Sequence, residues 1–155
     1  MSNETFLVTG AMGCIGAWAL RNLVRDGATV IAGDLAMEPV RPRQVLSEAE
    51  LAQVKFVKLD VTSLNDVRSV VEANGVTHIV HLAGLQVPFC RANPSLGAQV
   101  NVVGTVNIFE AARHNWGQVK GLSYASSLAV LGPAEEYPEG RVGDDVPLLP
   151  RTLYG

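Results

Sequence analysis

Near the start of the chain, glycines recur as Gly10-x-x-Gly13-x-x-Gly16, directly after the apolar run Phe6-Leu7-Val8 and before a helical pattern. A strand that turns sharply into a helix presents unpaired backbone N–H groups and the positive end of the helix dipole, a combination that holds a pyrophosphate. Glycine suits such a turn because it bends freely, lets a phosphate approach without a Cβ in the way, and lets helix pack closely on strand. The turn residues placed to meet a dinucleotide are Gly10, Met12, Gly13, Cys14, Ile15 and Gly16. Roughly 20 residues further on, where an acid accepts from the adenosine ribose hydroxyls, stands Asp34. A carboxylate there repels a 2′-phosphate, so NAD is the expected cofactor and NADP the less favoured one. Arg41 and Arg43 lie downstream and could fold back against that preference. The plain alternatives are a tight turn with packing glycines and a solvated acid at a strand end.

The elements that must position these groups are legible as alternating patterns. Apolar, β-rich runs at 5–9, 29–33, 54–59, 76–83 and 119–125 alternate with helical stretches, which predicts parallel α/β units. Ile15, Ala19, Leu20, Leu23 and Val24 repeat at helical spacing over 14–26, and Gly27 stands where a helix cap belongs. Ser47-Glu48-Ala49-Glu50 reads as a capping box, and Ser63-x-x-Asp66 opens a helix that ends before Gly75. Pro94 and Ser95 open a long helix reaching about His114. The stretch 132–150 is irregular, and 152–155 would begin another helix.

With 155 residues, 48% of them hydrophobic, the chain can bury one sizeable core. A net charge of −3 with dispersed charges argues against nucleic acid as a partner. No apolar stretch approaches the ~20 residues of a membrane span, and Met1-Ser2-Asn3-Glu4 lacks the positive start of a signal peptide. The expectation is a cytoplasmic protein with no membrane partner. Cys14 and Cys90 make neither a disulfide framework nor a metal-ligand spacing, so no metal is expected. His78, His81 and His114 read as structural or surface residues, and Asp144 and Asp145 as part of a solvated loop.

Beyond the glycine turn, Asp60-Val61, His81-Leu82-Ala83-Gly84, Asn101-Val102-x-Gly104-Thr105, Tyr124-Ala125-Ser126-Ser127 and Tyr154-Gly155 follow in order. This series resembles the extended short-chain dehydrogenase/reductases, and within them the NAD-dependent epimerase/dehydratase group, over essentially the whole chain. The resemblance implies a Rossmann-type doubly wound parallel sheet of strand order 3-2-1-4-5, lacking the C-terminal strands and the substrate region. It implies that Asp60 and Val61 flank the adenine and that Leu82, Ala83 and Gly84 form a backbone wall beside the cofactor. Asn101 would sit on the long helix near the nicotinamide. Ser127 would hydrogen-bond the reacting substrate oxygen, and Tyr154, also at the cofactor, would be the acid/base. Asp60 also fits a residue that prepares the next helix, Asn101 an exposed helix position, and Ser126 a structural or cofactor-side hydroxyl. Gln86 stands where some sugar epimerases of the group carry lysine, so no particular sugar epimerase is indicated.

The group's full motif is Tyr-x-x-x-Lys, and the sequence reads Tyr154-Gly155 and stops. A free tyrosine, with pKa near 10, is a poor base at neutral pH until a neighbouring cation favours its phenolate. The reading is therefore a single NAD-binding domain over residues 1–155, cut inside that motif. It would belong to an oxidoreductase passing hydride between nicotinamide and a hydroxyl-bearing small molecule, such as a nucleotide sugar or other polyol. The alternative is a non-catalytic NAD-binding module or a truncated fragment without activity of its own. The resemblance also implies a homodimer of the complete protein, formed through the long helix and the tyrosine-bearing helix, and leaves the fifth strand as an open sheet edge.

Overall fold

A computed structural model describes residues 4–137 and 142–155. Strand β1 (Thr5–Thr9) is followed by α1 (Cys14–Arg25), β2 (Thr29–Asp34), two one-turn helices α2 (Pro42–Val45) and α3 (Glu48–Leu51), and β3 (Val54–Lys58). Then come α4 (Leu64–Ala73), β4 (His78–His81), α5 (Val87–Ala92), α6 (Pro94–Ala98), a π-helical turn (Gln99–Val103), α7 (Gly104–His114) and β5 (Gly121–Tyr124). All the pairings are parallel, and the strand order is β3-β2-β1-β4-β5. This is the Rossmann-type order expected from the resemblance.

Alternation along the strands explains why helices cover both faces. Leu7 and Ile79 pair in register and point into one apolar cluster with Ile31, Val67, Val71 and Ile108, beneath α4 and α7. Their neighbours Val8 and Val30 point the other way, into a cluster with Leu20, Val24, Leu46 and Leu51 beneath α1, α2 and α3. A strand buried on both faces must be apolar at successive positions, and Leu7 and Val8 are both fully buried. Truncating Leu20, also fully buried, to alanine should cost about 2–5 kcal/mol.

Helix ends follow the local code. The N–H groups of Gly27 and Ala28 return to the carbonyls of Val24 and Leu23, which closes α1. The Ser47 hydroxyl accepts from the Glu50 N–H while the Glu50 carboxylate accepts from the Ser47 N–H, the capping box expected there. Arg25 on α1 pairs with that carboxylate at 2.6 Å, and these bonds hold Glu50 down at about 2.

Three expectations change. The long helix from Pro94 to His114 is not regular but widens into the π-helical turn at Gln99–Val103, where the Gly104 N–H reaches back to the Gln99 carbonyl. Gly104 lies against Val61, whose Cγ2 stands 2.8 Å from where a Cβ would be, so this turn packs directly on the loop after β3. No helix begins at Thr152: residues 151–155 are irregular, with the Thr152 hydroxyl accepting from the Gly155 N–H at 3.0 Å. Strands β4 and β5 are shorter than their apolar runs at both ends; past them, Leu82, Ala83 and Ala125 line the site. Of the irregular stretch 132–150, positions 138–141 lie outside the described residues. No helix among the described residues is long and apolar enough to cross a membrane.

Candidate cofactor site

The site lies at the carboxyl ends of β1, β2 and β4, where a doubly wound sheet leaves a crevice. It consists of two adjoining cavities of about 440 and 240 Å³. Gly10, Gly13, Leu82, Ala83 and Gly84 line both, so the glycine turn and the wall after β4 form a shared floor.

The turn is built on close approach. Gly10 has φ +67°, and a Cβ there would stand 2.7 Å from the Ala83 backbone nitrogen. At Gly16 a Cβ would stand 2.3 Å from the Gly10 carbonyl oxygen. Neither neighbour can yield, since both are main chain. The Gly13 N–H bonds the Gly10 carbonyl at 2.9 Å, and the first helical bond is Ala17 N–H to the Gly13 carbonyl. The N–H groups of Cys14, Ile15 and Gly16 therefore have no hydrogen-bond partner among the described residues, no side chain caps the helix, and its first turn holds no acid. All three residues line the larger cavity. An uncapped twelve-residue helix opening on a cavity fits the pyrophosphate of a dinucleotide.

Asp34, Asp60 and Val61 line the smaller cavity together with Leu35, Leu59 and Val100. Asp34 braces the turn as well, its Oδ2 accepting from the Met12 N–H at 2.9 Å and its Oδ1 from the Ala36 N–H at 3.1 Å. Met12 was expected at the cofactor, yet it lines neither cavity. The reason is physical: it is buried, its N–H is taken by Asp34, and its carbonyl accepts from Arg41 Nη1 at 3.2 Å. Arg41 does fold back, onto the turn, while Arg43 pairs with Glu38. Asp60 serves the local role as well as lining the cavity, since its Oδ1 accepts from both the N–H and the hydroxyl of Thr62. Val61 is fixed by the Asn107 amide, which donates to its carbonyl at 2.9 Å.

The larger cavity gathers Ser126, Ser127 and Tyr154 with Asn101 and Tyr124. Ser127 Oγ accepts from the Ala129 N–H at 3.1 Å, capping the short 3-10 turn Leu128–Val130. Asn101 sits in the π-helical turn, and its amide is committed: Oδ1 accepts from the Leu85 N–H at 2.7 Å and Nδ2 donates to the Leu85 carbonyl at 2.9 Å. It thus holds the wall beyond Gly84 in place.

Sequence reasoning missed Thr9, Thr105 and Asn107. Thr9 is fully buried at the end of β1, its Oγ1 2.6 Å from His81 Nδ1 and within 3.2 Å of the N–H groups of Leu82 and Ala83. On the other side, His81 Nε2 lies 3.2 Å from Thr105 Oγ1. A hydroxyl just before the glycine turn was the available signal for Thr9; its partners lie 72 to 74 residues away and leave no local trace. Burial pushes the His81 imidazole down from 6.5 to about 4. The unfolded chain therefore takes up this proton first. The ring's contribution to stability is whole above pH 6.5 and is lost as pH falls toward 4.

Residues 6–155 match the model of the NAD-dependent epimerase/dehydratase family. The human protein named inactive L-threonine 3-dehydrogenase, mitochondrial, is 31% identical over 153 residues, covering 96% of this chain and 60% of its own length. A UDP-glucose 4-epimerase of Pisum sativum is 31% identical over 144 residues, covering 88% of this chain and 40% of its own. Among solved structures, the UDP-glucose 4-epimerase of Thermus thermophilus in complex with NAD superposes with a TM-score of 0.78 at 28% identity, over 97% of this chain and 46% of that one. The chain thus spans between two fifths and three fifths of the length of these relatives. On the matched model, and on a glycine turn, acid and wall arranged as the motifs require, this chain belongs to the NAD-dependent epimerase/dehydratase family.

Proposed function

We propose that the chain binds NAD and forms the cofactor part of an oxidoreductase that passes hydride between nicotinamide and a hydroxyl-bearing small molecule. The observation that carries this reading is the pair of cavities on one shared floor: carboxylates Asp34 and Asp60 in one, hydroxyls Ser127 and Tyr154 in the other. A dinucleotide has the same order, with adenosine at one end, pyrophosphate in the middle over Cys14, Ile15 and Gly16, and nicotinamide at the other. Asp34 favours NAD over NADP, because its carboxylate would repel a 2′-phosphate, and Arg41 is engaged with the Met12 carbonyl.

Bound NAD would supply the hydride acceptor at the nicotinamide ring. Ser127 would donate to the substrate oxygen as it gains carbonyl character, and Tyr154 would take the hydroxyl proton. The positive charge of the oxidised nicotinamide favours the phenolate such a proton transfer needs. Nucleotide sugars are the first substrate class to test, since a relative and a structural neighbour are UDP-glucose 4-epimerases. Oxidation of a simple alcohol is the next, since another relative is named for threonine dehydrogenation.

Titration calorimetry with NAD, NADH and NADP tests the binding claim. Saturable heat with NAD or NADH and a weaker response to NADP is expected; no heat with any of them would overturn it. Conversion of UDP-glucose to its 4-epimer, or oxidation of L-threonine with reduction of NAD, tests the catalytic part of the reading; neither being detected would leave a binding-only module.

A further inference from the structure

Thr9 Oγ1 receives the N–H of Ala83 and shares that of Leu82 with its own carbonyl, each at 3.2 Å. A hydroxyl has one hydrogen and two lone pairs. With both lone pairs occupied, the Thr9 hydrogen points to His81 Nδ1, 2.6 Å away, which must therefore be bare. The opposite side gives the same answer independently. Thr105 Oγ1 lies 2.7 Å from the Asn101 carbonyl, which can only accept, so Thr105 donates there. It is left to accept from His81 Nε2, 3.2 Å away, which must carry the proton.

The Asn101 side chain then holds both polar groups of the Leu85 peptide unit. From Thr9 through His81, Thr105 and Asn101 to Leu85, and along the wall back to Thr9, the bonds close a ring around residues 82–85. Of these, Leu82 and Ala83 lie against Gly10 across the floor of the site. We infer that His81 is a positioning residue for the cofactor: as the neutral, Nε2-protonated imidazole it joins the end of β1 to the π-helical turn and fixes the wall against the glycine turn. This role rests on the proposed NAD site, but the tautomer does not.

A proton on Nδ1 would face an oxygen whose lone pairs are already filled, and the Thr9 hydrogen would lose its acceptor. Among the described residues no charged side chain faces the ring. Tyr124 pairs with His81 in the sheet, and Cys14 and Tyr154 line the same cavity.

The first test is nitrogen-15 NMR of the protein labelled at histidine, without NAD. The expected spectrum shows one His81 ring nitrogen bare at Nδ1 and the proton on Nε2, unchanged from pH 8 to about pH 6. A proton on Nδ1, or a charged ring at pH 6, overturns the inference. The second compares Thr105→Val with Thr105→Ser by NAD calorimetry and thermal unfolding. Thr105→Val should weaken NAD about tenfold and leave the His81 tautomer mixed, while Thr105→Ser, which keeps the hydroxyl, restores both. Equal affinity in Thr105→Val and the unaltered protein overturns it. If the unaltered protein itself gives no NAD heat, the functional reading falls instead, and the tautomer decides the role of His81.

Discussion

The two cavities of the site are built by different means. On the Asp34 side two of the lining groups are set by regular elements: Asp34 at the end of β2, and Val61, in the loop after β3, pinned by Gly104 and Asn107 of α7. On the substrate side, Ser126, Ser127 and Tyr154 stand on irregular backbone past the last strand. On the proposed reading, the difference assigns dinucleotide recognition to groups fixed by the fold and the chemistry to segments that follow the last strand.

Substitutions should separate the two sides. Gly16→Val sets a side chain against main-chain atoms of Gly10 and Ala11. It should cost about 3 kcal/mol of stability by urea unfolding and abolish NAD binding. An unfolding curve within error of the unaltered protein would mean that the turn is not the rigid anchor claimed for it. Asp34→Asn weakens the acceptor for the N–H groups of Met12 and Ala36 as well as the ribose contact. About tenfold to hundredfold weaker NAD binding by calorimetry is the expected result. Tyr154→Phe removes one hydroxyl on the loose side; NAD should weaken by no more than about 1 kcal/mol. A larger loss would show that the substrate side also anchors the cofactor, and the contrast would collapse. Ser127→Ala removes the cap of a three-residue turn and should lower stability by about 0.5 kcal/mol, read from the thermal midpoint, with NAD affinity unchanged.

The same contrast marks how far the sequence could be read. Features set by near neighbours were legible: the capping box of Ser47 and Glu50, the closure of α1 at Gly27, and the five strands at their apolar runs, whose order came from the resemblance. Asp34 and Gly10 lie at strand ends that patterning already locates, whereas the place of Asp60 was read from the resemblance. What stayed hidden depends on partners distant in the chain. Nothing in Gln99-Val100-Asn101-Val102-Val103 departs from an ordinary helix, and the widened turn shows only where Gly104 meets Val61 and Thr105 binds the Asn101 carbonyl. Met12 lies in the turn between Ala11 and Gly13; only the fold shows that Asp34, 22 residues later, takes its N–H.

The central place of β1 has a consequence for how the molecule comes together. Its pairing with β2 joins residues separated by one helix, whereas its pairing with β4 joins Thr9 to His81 across 72 residues. Local pairings close fast and distant ones late, so β1, β2 and β3 can assemble while the other side of β1 is still bare. During that interval Leu7 and Val8 border an open apolar edge. The glycine turn also lacks the Ala83 backbone that Gly10 is shaped to meet. The dinucleotide cradle is therefore among the last parts to be completed. A dinucleotide bound there would recognise only chains that have already joined both halves, and its binding would add to stability as a selection for finished molecules.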